Sequence, residues 1–172
     1  MSPTFRTATS TDIPVLRDLA DCIWRISYPG MISIEQIEYM LGWMYSAEKI
    51  AAELSSGVNW EIALLDERPI GFTSLTLHSR TLAELNKLYL LPELHGRGLG
   101  QAMLAHATES AAPRGCTELR LRVNKRNARA LRCYDRAGFR VIDSLTADIG
   151  GGFVMDDYVL SRSLAPHMGR GA

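Results

Sequence analysis

Apolar positions along the chain follow two periods, and the change between them separates predicted helices from predicted strands. Apolar residues at three- and four-residue steps from Ile13 to Ile23 predict a first helix, capped by the polar run Ser10-Thr11-Asp12. Similar patterns predict four further helices, at 34–44, from Ser46 to near Gly57, at 99–111 and at 127–137. Alternating or continuous apolar runs predict seven strands, at 5–8, 60–65, 69–77, 84–91, 118–123, 140–146 and 153–161.

The order of these elements predicts the fold class. Strand, helix, strand, helix and strand follow one another from 84 to 146, which is typical of parallel crossovers, and the polar turn Asp66-Glu67-Arg68 predicts a hairpin. We therefore expect an α/β or α+β protein with a mixed sheet. The 172 residues suit a single domain, placed at 1–165, with a flexible tail at 166–172. The run Gly150-Gly151-Gly152 is also expected to be flexible.

The composition is that of a globular protein without a strong overall charge. Nineteen Lys and Arg balance nineteen Asp and Glu, and 47% of the residues are apolar, which argues against disorder, nucleic acid and a membrane surface. Cys22, Cys116 and Cys133 are too scattered for a disulfide framework or a zinc site, and no metal is expected. Without a signal-peptide pattern or a long apolar window, we expect a soluble cytoplasmic protein that does not enter a membrane.

Charge is nevertheless unevenly distributed. Residues 95–140 carry ten Lys and Arg against three acids, a net charge of +7, whereas residues 1–94 carry a net charge of −5. The basic segment suits either a polyanionic ligand or a solvated, Arg-rich helix face, and charge alone does not decide between them. Nucleic acid is disfavoured as the ligand because no aromatic residues for base stacking are interleaved with the basic residues of 120–136.

The sharpest motif is His95-Gly96-Arg97-Gly98-Leu99-Gly100, which follows a predicted strand and opens a predicted helix. Alternate glycines let the backbone approach a ligand closely, and the N–H groups of the first helical turn favour an anion. The loop is therefore predicted to bind phosphate or pyrophosphate, the alternative being a tight turn without a ligand. Gln101 follows where a Walker A loop needs Gly-Lys-Ser/Thr and where the Rossmann fingerprint needs a glycine, so both motifs are excluded.

A second motif lies in residues 124–141. Asn127, Ala130, Tyr134 and Gly138 recur at three- and four-residue steps and so share one helix face, on which Asn127 and Tyr134 lie about 10 Å apart. An amide, a small residue and a phenol in line would suit an extended ligand. The same spacing also suits an ordinary helix packed on a sheet.

Taken together, His95-x-x-Gly98-x-Gly100 and the later pattern Asn127-x-x-Ala130-x-x-x-Tyr134-x-x-x-Gly138-Phe139 resemble the GNAT superfamily of acetyl-CoA-dependent N-acetyltransferases. The stretch from Leu88 to Glu93 resembles the strand end that precedes the loop in that family. The order of elements agrees over nearly the whole chain, while the motifs themselves lie within 84–141. His95 departs from the Arg or Gln usual at its position, and its imidazole is expected to donate to a phosphate instead.

The resemblance implies a GNAT-like mixed central sheet of about seven strands with helices on both faces, in which the strands near 84–91 and 118–123 splay apart. Acetyl-CoA would be the co-substrate, with its pantetheine arm along the backbone of Leu88, Tyr89 and Leu90 and against Asn127 and Ala130. The loop would hold the pyrophosphate through His95, Gly96, Arg97, Gly98, Leu99, Gly100 and Gln101. Arg97, Lys125 and Arg126 are expected to add positive charge, whereas Arg120 and Arg122 are equally compatible with solvated strand positions.

The implied chemistry is direct attack of an amine on the thioester. An alkyl amine is mostly protonated at pH 7, so a base is needed, and Glu84 is either that base or a surface charge. The main-chain N–H of Leu90 would stabilise the oxyanion, and Tyr134 would protonate the departing thiolate. Cys133 is expected to be inert, because it lies off the helix face of Tyr134 and direct attack needs no covalent intermediate.

A small polyamine-like amine is the expected acceptor. The region after Gly30, with Gln36, Tyr39 and Met40, resembles the acceptor side of polyamine acetyltransferases, and the excess of acids in residues 1–94 would attract cations. Those acids, which also suit ordinary solvated positions, include Glu35, Glu38, Glu48, Glu53, Glu61 and Glu84. The alternatives are a protein or peptide N-terminus as acceptor, and an acyl-CoA-binding module without turnover. A homodimer is compatible with the sequence.

Overall fold

The computed structural model describes residues 2–164, which form one mixed seven-stranded sheet and five α-helices. The strands are β1 (Thr4–Thr7), β2 (Asn59–Leu65), β3 (Arg68–Leu77), β4 (Leu82–Leu90), β5 (Glu118–Asn124), β6 (Arg140–Gly150) and β7 (Phe153–Ser163). The helices are α1 (Ile13–Ser27), α2 (Ile34–Met44), α3 (Ala47–Ser55), α4 (Leu99–Ala111) and α5 (Ala128–Arg136). The predicted sheet is confirmed, and the predicted tail at 166–172 lies outside the described residues.

The strands lie in the order β1-β2-β3-β4-β5-β7-β6. Of these neighbours, β4 and β5 are parallel and the other pairs are antiparallel. The β2–β3 hairpin forms where the sequence predicts it, and Asp66 and Glu67 adopt positive φ in its tight turn. Gly138 adopts φ +86° just after α5, as a glycine that ends a helix does.

The β6–β7 hairpin differs from its prediction. Its glycine run is a packed turn rather than a flexible linker, because β6 continues to Gly150 and the turn lies against the ring of Tyr39. A Cβ atom would lie 2.6 Å from the Tyr39 hydroxyl at Gly150 and 2.9 Å from its ring at Gly151. The Tyr39 hydroxyl donates to the carbonyl of Ile149 over 2.6 Å, and the Gln36 amide donates to a β7 carbonyl over 2.8 Å. The hairpin is therefore fixed to α2.

Helices cover both faces of the sheet, as expected. One apolar cluster joins α1, α2 and α3 to inward residues of the sheet such as Trp60 and Phe72. A second cluster joins α4 and α5 to Leu85, Leu121 and Leu160 on the opposite face. Among residues 2–164, no helix combines the length and the apolar character that a membrane span requires.

The sheet opens between its two parallel strands. β4 and β5 pair from Leu82 opposite Glu118 to Leu85 opposite Leu121, and both strands then continue without pairing to each other. On the other edge of β4, Ser74 pairs with Lys87 and the next residue of β3 pairs with Leu85, which leaves Asn86 as the extra residue of a bulge. A bulge increases the local twist and bends its strand. The predicted splay is therefore present, and it begins where the strand is bulged.

Gly71 offers a test of how closely β3 and β4 pack beside this opening. A Cβ atom there would lie 2.3 Å from the Tyr89 carbonyl oxygen and 3.1 Å from the Met103 Cε. Gly71→Ala should therefore lower the free energy of unfolding by about 1–3 kcal/mol, as overpacking does. Gly42→Ala is the matched control, because Gly42 lies in α2 with open space around it, and it should raise stability by about 0.5–1 kcal/mol. Urea unfolding measures both, and equal midpoints for the two variants would contradict this packing.

Candidate active site

A cleft of about 1330 Å³ opens where β4 and β5 part, and it brings the two predicted motifs together. Its lining includes most of the predicted site residues, namely Glu84, Leu88, Tyr89, Leu90, His95, Gly96, Gly98, Gly100, Gln101, Asn127, Ala130 and Tyr134. Arg97 and Leu99 are not in the lining. The side chain of Leu99 is buried in the apolar core, where it anchors the start of α4, and Arg97 is exposed.

The glycine loop forms an open cradle at the start of α4. Gly98 precedes the helix with φ +79°, and no side chain caps the first turn. Gly96 also has positive φ, and a Cβ atom at either glycine would meet nothing within 4 Å. The first main-chain N–H groups of an α-helix have no partner within it and carry the positive end of the helix dipole. An uncapped turn behind an open glycine backbone fits the pyrophosphate of coenzyme A.

Two polar side chains of the loop brace it against its surroundings. The Nε2 of His95 donates to the Leu90 carbonyl over 3.1 Å, and its Nδ1 contacts the guanidinium of Arg129. Burial lowers the pKa of His95, which favours the neutral ring that these contacts require. Gln101 donates from Nε2 to the Cys133 carbonyl over 2.7 Å. In this structure the ring N–H of His95 is bound to the end of β4, and its donation to a phosphate stays a prediction.

The cleft is lined by a row of four arginines, of which the sequence singled out only Arg126. Arg126, Arg129, Arg132 and Arg136 lie at three- and four-residue steps along α5 and just before it, and all four line the cleft. Of the cations expected to contribute, Arg126 lines the cleft, whereas Arg97 does not. Lys125 also lies outside it, where it donates to Asp156 over 2.5 Å. The three- and four-residue steps between these four arginines are the sequence signal that could have identified the row.

Asn127 and Tyr134 lie on the side of α5 that meets the cleft. The Oδ1 of Asn127 accepts from the Ala130 N–H over 3.1 Å and caps the helix, which leaves its side-chain NH₂ free to donate. Tyr134 is 8% exposed and packs edge-on against Phe139. Burial raises the pKa of Tyr134 well above its ordinary value, so the phenol stays protonated at neutral pH.

The wall of the cleft on the α1–α3 face of the sheet is aromatic. The hydroxyls of Tyr28 and Tyr89 lie 3.2 Å apart, and Trp24 stacks on Tyr28. Burial raises the pKa values of both Tyr89 and Tyr134, and the charge interaction with Tyr28 adds to both shifts. Tyr28, to which the sequence assigned no functional role, therefore belongs to the wall of the cleft together with these two phenols.

The acids of residues 1–94, which were expected to attract cations, do not form an acidic wall in the cleft. Of the six, only Glu53 and Glu84 line the cleft within the described chain, and both are paired. Glu53 accepts from the Lys87 Nζ at 3.4 Å, and Glu84 lies 2.6 Å from the His78 Nε2 and 3.5 Å from the Arg122 Nε. The other four lie outside the lining, where Glu61 contacts His106 on the α4 side and Glu38 pairs with Arg25. Segment charge did not predict which sheet face each acid occupies.

Asp157 of β7 is a buried carboxylate that the sequence reasoning also missed. It lines the cleft, is 3% exposed, and its Oδ1 has no hydrogen-bond partner among the described residues. Burial raises the pKa of Asp157 to about 6. It shares the α1–α3 face with Glu84, because it pairs with Asn124 two residues from the Arg122 that contacts Glu84. Alternate residues of a strand share one face, so the position of Asp157 two residues after the inward Met155 of β7 was the sequence signal for its burial.

Comparison with known proteins agrees with this geometry. A family model described as the acetyltransferase (GNAT) family matches residues 19–139. Spermidine N(1)-acetyltransferase of Thermoplasma acidophilum is 32% identical over 161 residues, which is 91% of this chain and 97% of that protein. The crystal structure of PaiA N-acetyltransferase from Thermoplasma acidophilum in complex with coenzyme A superposes with a TM-score of 0.82 at 28% identity, covering 95% of this chain and 99% of the other.

The cysteines test whether the site contains an activated nucleophile. Burial raises the pKa of Cys133, whereas Cys22 is exposed. Limited alkylation at pH 7.5 should therefore modify Cys22 at least about tenfold faster than Cys133, because only the thiolate reacts. Peptide mapping by mass spectrometry measures both rates in one sample. Faster modification of Cys133 than of Cys22 would indicate an activated thiol and a covalent route.

Proposed function

Because the chain belongs to the acetyltransferase (GNAT) family and is an acetyl-CoA-dependent N-acetyltransferase, we propose that its acceptor is the primary amine of a small, polyamine-like molecule. The observation that carries this proposal is an apolar channel on the α1–α3 face that contains carboxylates. The similarity of the chain to a spermidine N(1)-acetyltransferase, over 91% of its length, supports the same acceptor class.

The channel suits a flexible alkyl amine in both shape and chemistry. Its apolar lining comes from α1, α2, the loop between them and the β6–β7 hairpin, and includes Ile23, Ile26, Met31, Met40, Met44, Leu145, Ala147, Ile149 and Met155. Methylene groups gain free energy by leaving water for such a surface, and ammonium groups require an anionic partner there. Glu84 and Asp157 supply the carboxylates on this face. An acceptor with its own negative charge would find no such match.

Acetyl-CoA would occupy the part of the cleft between β4, the glycine loop and α5, and when bound it supplies an activated thioester. We assign the pyrophosphate to the N–H groups at the start of α4 and the pantetheine arm to the backbone of Leu88, Tyr89 and Leu90 and to Asn127. The arginine row of α5 would pair with the remaining phosphate charge.

In the proposed reaction the amine attacks the thioester directly. Tyr134 would hold a proton beside the sulfur and give it to the thiolate as the carbon–sulfur bond breaks, and the N–H of Leu90 would stabilise the oxyanion. A raised pKa keeps the Tyr134 phenol in the protonated form that this role requires. Cys133 would take no covalent part, since burial raises the pKa of its thiol. Glu84, which the sequence left open as either the base or a surface charge, has one oxygen 2.6 Å from the His78 Nε2 and the other in an ion pair with Arg122 at 3.5 Å.

Tyr134→Phe should lower kcat by roughly 10²–10⁴-fold while leaving acetyl-CoA affinity unchanged, because it removes only the proton donor. The measurements are steady-state kinetics and calorimetric titration with acetyl-CoA. Tyr158→Phe is the matched control, because Tyr158 lies outside the cleft lining and its loss should leave kcat unchanged. A Tyr134→Phe variant with full kcat would leave the phenol only a packing role.

The acceptor class is tested by kcat/KM for spermidine, a monoamine of similar size and a peptide with a free N-terminus, at low and high salt. Thiol release reports turnover, with acetyl-CoA alone as the blank. Spermidine should exceed the monoamine by about tenfold or more, since a charge-assisted hydrogen bond contributes about 1.5–3 kcal/mol, and high salt should reduce the preference. A preference for the peptide would identify a peptide N-terminal acetyltransferase. Binding of acetyl-CoA without turnover of any amine would identify a binding module.

A further inference from the structure

Asp157 combines three properties that a purely structural carboxylate rarely has. It is 3% exposed, it lines the cleft, and its Oδ1 makes no hydrogen bond within residues 2–164. Burial of a carboxylate without a partner is costly, because the charge loses its hydration. Such a group persists when it meets a partner that the protein alone does not contain. In a cleft on the α1–α3 face, that partner is a group of the acceptor.

The charged groups around Asp157 leave its charge uncompensated. Arg122 of β5 and Lys125 of the loop before α5 favour the ionised carboxylate, and Asp156 of the same strand opposes it. Arg122 also pairs with Glu84 at 3.5 Å, and Lys125 donates to Asp156 at 2.5 Å, so both cations are engaged elsewhere. The neighbour of Asp157 on β6 is uncharged.

Asp157 is also coupled to the reacting end of the cleft through Tyr28 of α1. Burial is the main reason that the pKa values of Tyr28 and Tyr134 are raised; the charge of Asp157 adds to the shift of Tyr28, and that of Tyr28 adds to the shift of Tyr134. All three side chains line the same cleft. A cation held at Asp157 would therefore lie in the cleft that Tyr134 also lines.

We propose that Asp157 binds the ammonium group of the acceptor and accepts its proton, so that the free amine attacks the thioester. The proposal rests on the proposed function, because it requires an amine acceptor. Glu84 is the competing carboxylate on this face, and it is the weaker candidate because His78 lies 2.6 Å from one of its oxygens and Arg122 lies 3.5 Å from the other. An oxygen without a partner is free to accept a hydrogen bond from the ammonium.

The proton balance of the step is complete. One ammonium proton moves to the Asp157 carboxylate, and the amine lone pair forms the carbon–nitrogen bond to the thioester carbonyl carbon. The carbon–sulfur electron pair leaves with sulfur, which takes the Tyr134 proton, and the phenolate recovers the second proton from the new nitrogen. Asp157 then releases its proton to solvent. The net change is one ammonium and one thioester converted to one amide, one thiol and one proton.

The pH dependence follows from the raised pKa of about 6. Below that pH Asp157 is protonated and cannot accept a proton, so activity should fall as the pH decreases through about 6. The alkyl ammonium, with a pKa near ~10.4, stays protonated across this range and adds no inflection of its own.

The test compares Asp157→Asn with the wild type, using spermidine and kcat/KM from pH 5 to 8.5. Asp157→Asn should reduce kcat by roughly 10²–10⁴-fold and abolish the acid inflection, because the isosteric amide cannot accept the proton. Asp156→Asn is the matched control, as it makes the same change one residue away on an exposed side chain. It should keep kcat and retain an acid inflection, which should move to lower pH because the charge of Asp156 raises the pKa of Asp157. Glu84→Gln tests the competing carboxylate, and this variant should retain the acid inflection in kcat/KM.

Thermal unfolding of the same variants separates catalysis from folding. The folded-state pKa lies above the ordinary aspartate pKa of 3.8, so the stability linked to this group is fully present below pH 3.8 and is lost as the pH rises through about 6. Asp157→Asn should therefore unfold at a higher temperature than the wild type at pH 8, with a smaller difference at pH 4. A variant less stable than the wild type at pH 8 would mean that Asp157 has a structural partner, and the proposal would fail.

The remaining outcomes keep the two proposals apart. Wild-type turnover of spermidine with an Asp157→Asn variant that keeps its kcat and acid inflection would overturn the role of Asp157 alone. Loss of the inflection in Glu84→Gln and not in Asp157→Asn would assign the proton to Glu84. A wild-type protein that binds acetyl-CoA and acetylates no amine would instead overturn the proposed function.

Discussion

The site depends on one interruption in the sheet, where β4 and β5 stop pairing after Leu85 and Leu121 although both strands continue. Beyond that point, the main-chain groups of β4 that face β5 have no strand partner, and buried N–H and C=O groups require one. An extended ligand arm can supply these hydrogen bonds as an added strand does. The same strand leads directly into α4, whose uncapped N-terminus adds donors for an anion at the end of that edge. A backbone edge and an anion site therefore arise from a single gap.

Charge is distributed by sheet face and helix side rather than by chain segment. The arginine row of α5 is turned toward the cleft, and the acids that share the α1–α3 face are largely neutralised by cations in contact with them. Lys87 illustrates this arrangement: it is buried over the Trp60 ring at 4.7 Å, burial lowers its pKa, and Glu53 holds its ammonium group. In such a network the field in the cleft is set by the few groups left without a partner.

The sequence predicted those parts of the protein that depend on local chemistry. The glycine loop and the spacing of Asn127, Ala130 and Tyr134 are local patterns, and the cleft contains both of them. Most strand and helix boundaries agreed to within about two residues because their caps and turns are also local, whereas β6 continues four residues beyond its predicted end. The family resemblance supplied the splay, which hydrophobic periodicity alone does not reveal.

The parts that were missed depend on contacts between distant segments. Asp157 is buried because the β6–β7 hairpin docks on α2, through Gln36 and a β7 carbonyl 118 residues away in the chain. The contacts of the His95 ring with Leu90 and Arg129 were not predicted, because no local pattern indicates them. The excess of acids in residues 1–94 did not produce an acidic cleft wall for the same reason, since net charge does not record the face on which each acid lies.

The clamp between α2 and the β6–β7 hairpin has a consequence for how this cleft can change over evolution. Tyr39 and Gln36 bind the main-chain carbonyls of Ile149 and Val154, and not the side chains of those residues. Hairpin side chains that face the channel can therefore be exchanged while both attachments are kept, because every residue type carries the same carbonyl. The glycines beneath Tyr39 are the exception, since any Cβ there would collide with its ring. The wall to which we assign the acceptor can thus diversify in chemistry while its position remains fixed.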